Sequence, residues 1–178
     1  EAYIIDSAGR QLERVKKYGF VKEYTVDASD SERIIDTILY ELEGRQEYLL
    51  ENRGVKTEKE LLDKYPFILL IIENDGFISE MSRNKEAYAK FIKIIKQYKG
   101  LKVCVIFSNI ENSNVAYSAP DILKQIKENK KAIIFDDVAN IKFFDVNIKY
   151  QKAFAKPITL GDGYLYIGGE MEKIKTVL

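Results

Sequence analysis

The chain has 178 residues, 46% hydrophobic and 31% charged, enough to bury a real core in one domain, or in two only if both are small. Basic and acidic residues number 28 each, so the net charge is zero, which argues against strong non-specific attraction to nucleic acid or anionic lipid. Without histidine there is no Ser-His-Asp or Cys-His nucleophile, no His-Glu-x-x-His zinc site and no His general base. The one cysteine, Cys104, forms no internal disulfide and fits a reducing compartment. No apolar run approaches the roughly 20 residues that cross a bilayer. The chain opens without Met almost directly into Tyr3-Ile4-Ile5, which reads as a module of a longer protein.

Four continuous apolar runs, Tyr3 to Ile5, Phe67 to Ile72, Val103 to Phe107 and Ala132 to Phe135, predict strands of a parallel sheet covered on both faces. A short extended piece at Tyr24 to Val26 follows the first run. Ile34, Ile35, Ile38, Leu39, Leu42, Leu49 and Leu50 then recur in steps of three and four. With Ser29 and Glu32 as a capping box and Gly54 as the stop, they predict a helix from about Ser31 to Arg53. Thr57 and Glu60 cap a short helix with Leu61 and Leu62. Asn84 caps another, with the stripe Tyr88, Phe91, Ile92 and Ile95 closed by Gly100. Pro120 fits the first turn of a helix carrying Ile122, Leu123 and Ile126. Tyr164 to Ile167, Gly168-Gly169 and Lys173 to Val177 predict a terminal antiparallel hairpin, with Tyr164 and Tyr166 on one half-buried face. Alternation of strand and helix makes the fold class α/β.

Charge is uneven. Asp27 to Asp63 holds eleven acidic and five basic residues, net minus six, and Asn84 to Lys131 holds ten lysines against four acids, net plus six. Solvated helix faces are the plain reading, and Lys90, Lys93, Lys96 and Lys99 drift round their helix accordingly; head-to-tail stacking of polar modules is the other.

Ligands bind α/β sheets at the C-terminal ends of strands. Here these ends read Asp6-Ser7-Ala8-Gly9, Glu73-Asn74-Asp75-Gly76, Ser108-Asn109 and Asp136-Asp137. Hydrolysis of a nucleotide requires the phosphate loop G-x-x-x-x-G-K-S/T, whose amides and lysine neutralise the phosphates. None of the ten glycines precedes a lysine, so that loop is absent from this chain. Gly161-Asp162-Gly163 lacks a third glycine and reads as a turn. Phe67 to Asn74 has the form of a Walker B strand: Glu73 suits Mg²⁺, whereas the carboxamide of Asn74 accepts no proton from water and Asp75 comes one position late. Without phosphates, Glu73 and Asp75 lack most of the ligands Mg²⁺ uses. Asp136-Asp137 is read as helix capping before metal binding, and Cys104 as packing before nucleophile.

The order of these segments resembles the motor domains of the FtsK/SpoIIIE family from their second strand onward. Ile4-Ile5-Asp6 with Gly9 is similar to that strand's end. Glu41-x-x-x-Arg45 resembles the acid and arginine of the long helix, Phe67 to Asn74 the Walker B strand, and Gly161 to Tyr166 the terminal hairpin. The last ATPase-like domain of the type VII secretion proteins EssC and EccC is the nearest likeness, with Asn after its Walker B acid. The resemblance spans nearly the whole chain through short motifs. It departs where the first strand and phosphate loop are missing, where Asn74 replaces the catalytic glutamate, and where Ser108-Asn109 and Ile110 replace a Thr-Gln pair and an arginine.

The resemblance implies a layered αβα, RecA/FtsK-like domain over residues 1–178, with a mostly parallel sheet and a C-terminal hairpin. It also implies a catalytically silent module on the cytoplasmic side of a membrane-anchored secretion motor, holding no cofactor of its own while ATP and Mg²⁺ serve the parent's other domains. Its expected partners are adjacent ATPase domains and secreted helical-hairpin substrates of the WXG100 kind, or their C-terminal signals. Phe77, Ile78 and Met81 are the candidate groove for such a signal. The alternative is a working motor ATPase whose phosphate loop lies upstream. A DNA-translocating partner is a third option, disfavoured by zero net charge.

Overall fold

The computed structural model describes residues 1–73, 76–108, 121–141 and 143–176. It divides the chain into two compact units, Glu1–Ile110 and Glu111–Leu178.

The first unit contains β1 (Ala2–Ile5), β2 (Val21–Thr25), α1 (Ser31–Glu51), α2 (Glu58–Leu62), β3 (Ile68–Ile72), α3 (Gly76–Arg83), α4 (Lys85–Lys96) and β4 (Val103–Phe107). Its strands form one parallel sheet in the order β2-β1-β3-β4. Burial follows that order. All of β1 is buried, β3 alternates between buried and half-buried, and on the edge strand β4 Cys104 and Ile106 are exposed. Cys104 is thus a surface thiol, contrary to the expected packing role, on the same exposed face of β4 as Ile106.

On the covered face, Phe77 of α3, Phe91 of α4 and Phe107 of β4 meet edge to face with ring centroids 5.2 to 6.0 Å apart. Each such pair adds about 0.5–1.5 kcal/mol beyond the area it buries. The inward stripe of α4 is Ala87, Phe91 and Ile94, with Tyr98 just beyond. This lies one position off the expected Tyr88-Phe91-Ile92-Ile95, because a helix carrying apolar residues on neighbouring positions admits two registers. The rotation turns Lys90 and Lys93 toward α1: Lys90 pairs with Asp36 at 2.9 Å and with Glu32 at 3.6 Å, and Lys93 pairs with Glu43. The basic stretch therefore meets the acidic one inside this unit, where solvation was expected.

Capping came out unevenly. Thr57 and Glu60 form the reciprocal box of α2, and Asn84 accepts from the Ala87 N–H at the start of α4. The Ser29–Glu32 box does not form. Asp27 accepts from the Ser29 N–H, closing a 3-10 turn (Ala28–Asp30), and α1 follows with Asp30 at its cap.

Arg45 occupies an apolar position of the α1 stripe and is fully buried. Its guanidinium donates to the carbonyls of Leu101 at 2.7 Å, Pro66 at 2.9 Å and Lys102 at 3.5 Å, pairs with Glu41, and lies 5.2 Å from the Tyr65 ring. Pro66 leads into β3, and Leu101 and Lys102 lead into β4. One cation therefore levels the N-terminal ends of both strands.

The second unit holds α5 (Asp121–Asn129), β5 (Lys131–Ile134), α6 (Ile148–Ala153), β6 (Asp162–Ile167) and β7 (Glu170–Lys175), with an antiparallel sheet β5-β6-β7. The expected hairpin is present, turning through Gly168 and Gly169 at φ +63° and +95°, a two-residue turn that needs left-handed backbone at both positions. The expected parallel strand at Ala132 to Phe135 is instead β5, antiparallel to β6. A continuous apolar run signals burial without fixing strand direction. Tyr164 and Tyr166 are buried on one face, where Tyr164 meets Phe154 and Tyr166 meets Phe144. Pro120 and Val177 lie outside the described residues.

Replacing Arg45 with Ala strands three carbonyls and should cost about 3 kcal/mol in urea unfolding, with amide exchange accelerated first at Ile68 and Val103. Arg45→Lys should recover part of that loss. A cost below about 1 kcal/mol for Arg45→Ala would contradict the role assigned to it.

Candidate functional site at the strand ends

Because the strands are parallel and in register, Ile5, Thr25, Ile72 and Phe107 are mutual neighbours and end the sheet on one line. The ladder runs one residue further: the N–H groups of Asp6, Glu73 and Ser108 donate to Thr25, Ile5 and Ile72 at 2.8, 2.8 and 3.0 Å. Thus Asp6, Glu73 and Ser108 stand side by side at the edge where the sequence places a site. Asp6 is fully buried, Glu73 is 7% exposed and Ser108 is exposed. Asn74, Asp75, Asn109 and Ile110 lie outside the described residues.

Asp6 has a structural task. One carboxylate oxygen accepts from the Ser7 N–H at 2.8 Å, and the other accepts from the Leu12 N–H at 2.9 Å and the Tyr24 hydroxyl at 2.7 Å. Burial first, and then the bond to Asp6, push the Tyr24 hydroxyl up to about 12, so it stays a proton donor at neutral pH. Asp6 therefore folds the loop between β1 and the 3-10 turn at Glu13–Lys17 back over the end of β1, tying it to β2. Beside it, Thr25 donates to Asp30 at 3.0 Å, bracing the turn into α1.

The candidate groove is corrected in part. Phe77 and Met81 belong to α3 and are 0% and 1% exposed, so they are core residues and offer no surface to a peptide; Ile78 is half-buried. Their spacing of four was the available signal, since it places two large apolar side chains on one helix face. Asp136 and Asp137 do act near a turn. Asp136 accepts from the Asp137 N–H and from Asn140, and Asp137 precedes the 3-10 turn Val138–Asn140 while accepting from the Ile158 N–H. Among the described residues, no group of three or more acidic or cysteine side chains is placed to hold a metal ion.

The first unit is thus a parallel α/β sheet in which β3, the strand beside β1, ends in the acid Glu73. Among solved structures the chain is similar to the cytoplasmic domain of EssC, with a TM-score of 0.77 at 15% identity over 99% of this chain and 33% of that one. It is also similar to EssC (ATPases 2 and 3) from Geobacillus thermodenitrificans, with a TM-score of 0.71 at 14% identity over 99% of this chain and 31% of that one. The cytoplasmic domain of the Thermomonospora curvata type VII secretion ATPase EccC gives 0.64 at 14% identity, over 98% of this chain and 21% of that one. The chain thus has the fold of the EssC and EccC ATPase domains, as the FtsK/SpoIIIE resemblance implied, and spans about a third of the EssC chains it matches. No family model and no curated protein matches the sequence.

Asp6→Ala should destabilise the first unit by about 2–3 kcal/mol, because two buried N–H groups and a hydroxyl lose their acceptor. Tyr24→Phe should cost about 1 kcal/mol. Equal losses from the two changes in denaturant titration would show that the backbone bonds to Asp6 carry no weight.

Proposed function

We propose that this chain is a single, non-catalytic ATPase-like module of a type VII secretion motor, recognising export substrates or regulating adjacent ATPase domains. The fold likeness to EssC and EccC supports the setting. One observation carries the loss of catalysis: no glycine in the chain precedes a lysine, so a triphosphate at this edge meets the carboxylates of Asp6 and Glu73 with no phosphate loop between them. Electrostatic stabilisation of the transferring phosphoryl group has no source there. A sheet edge of this kind binds and positions without hydrolysing.

The recognised partner in this reading is the C-terminal signal of a small helical-hairpin export protein. Of the three groove candidates, Ile78 is the side chain a peptide reaches without unfolding α3. The module works on the cytoplasmic face of a membrane-anchored parent, and no described helix is long and apolar enough to cross a membrane. ATP and Mg²⁺ belong to sister domains, and nucleic acid is no partner of a chain without net charge.

A second reading, a working motor ATPase, is favoured by the open side of β4. Among the described residues β4 pairs with β3 alone, and a further parallel strand bearing a phosphate loop would pair with its other side. The readings separate on two measurements. Titration with a substrate signal peptide should give saturable binding, weakened about tenfold or more by Ile78→Glu, since burying a charge there costs over 1.4 kcal/mol. Absence of binding to the chain and to the tandem domains would overturn the first reading. ATP turnover by the longer parent that Glu73→Gln abolishes would establish the second.

A further inference from the structure

The second unit holds a feature unconnected with the strand-end site: a cavity of about 390 Å³ walled by Phe154 and Tyr164 and rimmed by Lys152, Lys156 and Lys173. Tyr164 is 1% exposed; its hydroxyl makes no hydrogen bond among the described residues and keeps a small contact with solvent. Burial raises the Tyr164 hydroxyl above its ordinary range, so it remains a donor at neutral pH. The acids that act on Tyr164 are already committed: Asp137 accepts from the Ile158 N–H, and Asp162 accepts from the Thr159 N–H and hydroxyl and pairs with Lys173 at 3.0 Å. Lys152 and Lys156 have no ion-pair partner among the described residues. The cavity thus joins the half-buried Phe154 ring, the solvent-touching Tyr164 hydroxyl and two exposed lysines without an ion-pair partner among the described residues.

The geometry points to a binding site for a small organic anion, an aromatic or aliphatic body bearing one carboxylate or phosphate, seated against the half-buried Phe154 beside the Tyr164 hydroxyl, with its acid group toward Lys152 and Lys156. The volume lies in the range of small-ligand sites, and the division into apolar floor and a few polar groups is what orients such ligands. A triphosphate fits poorly, because flexible lysine stems supply point charges without the fixed amides that grip a phosphate chain. The pairing of Lys173 with Asp162 holds the third lysine in place at the rim.

The test is an amide-shift titration of the 178-residue chain with 3-phenylpropionate, phenyl phosphate, and the neutral isostere 3-phenylpropanamide. Both anions should shift the amides of residues 152–156, 164 and 173 with saturation, and the tighter of the two identifies the acid group the site takes. The isostere should bind about tenfold more weakly, and so should either anion to the Lys152→Gln/Lys156→Gln variant, whose exposed positions leave the fold intact. Tyr164→Phe keeps the ring, so a selective loss of anion affinity in that variant assigns the hydroxyl. Shifts scattered over the chain, equal binding of the amide, or unchanged binding by the double lysine variant would overturn the site.

Discussion

A single buried guanidinium sets the geometry of the first unit. Arg45 enters an otherwise apolar stripe and spends its donors on the chain just before β3 and just before β4, with Glu41 as counter-charge. Burying such a group costs several kcal/mol unless nearly every donor is met, and only Nε lacks a partner. The arrangement also holds Lys102 in left-handed backbone at φ +58°, with its ammonium on the carbonyl of Tyr65 at 2.7 Å. Strands levelled at their beginnings and paired in register must also be level at their ends. That is why Asp6, Glu73 and Ser108 form a row.

What that row can do follows from its charge. Two buried acids stand side by side, and one of them, Asp6, is fully engaged in holding its own loop. In an ATPase the acids at strand ends act on a metal and a water that the phosphate loop has brought into place. The strand-end row sets two buried acids at one edge of the sheet, and among the described residues β4 pairs on one side only.

Much of this was legible in the sequence, with limits that have physical causes. Parallel strands at Tyr3 to Ile5, Phe67 to Ile72 and Val103 to Phe107 followed from continuous apolar runs, and the box at Thr57 and the cap at Asn84 followed from side chains whose partners are three residues away. Local signals failed where a distant partner decides. The register of α4 depends on the acids of α1 and the direction of β5 on β6, while at the start of α1 one local bond, Ser29 to Asp27, displaced another. Phe77 and Met81 read as exposed because they follow a polar turn, yet the helix they form carries them into the aromatic cluster with Phe91. Asp6 was seen as a strand-end acid, but its three donors lie up to 18 residues away and nothing local announces them.

The account rests on the strand-end row being unable to hold a nucleotide by itself. Isothermal titration of the 178-residue chain with Mg·ATP addresses this directly: the expected result is no saturable heat up to millimolar nucleotide. A saturable isotherm in the micromolar range that Glu73→Gln removes would contradict it.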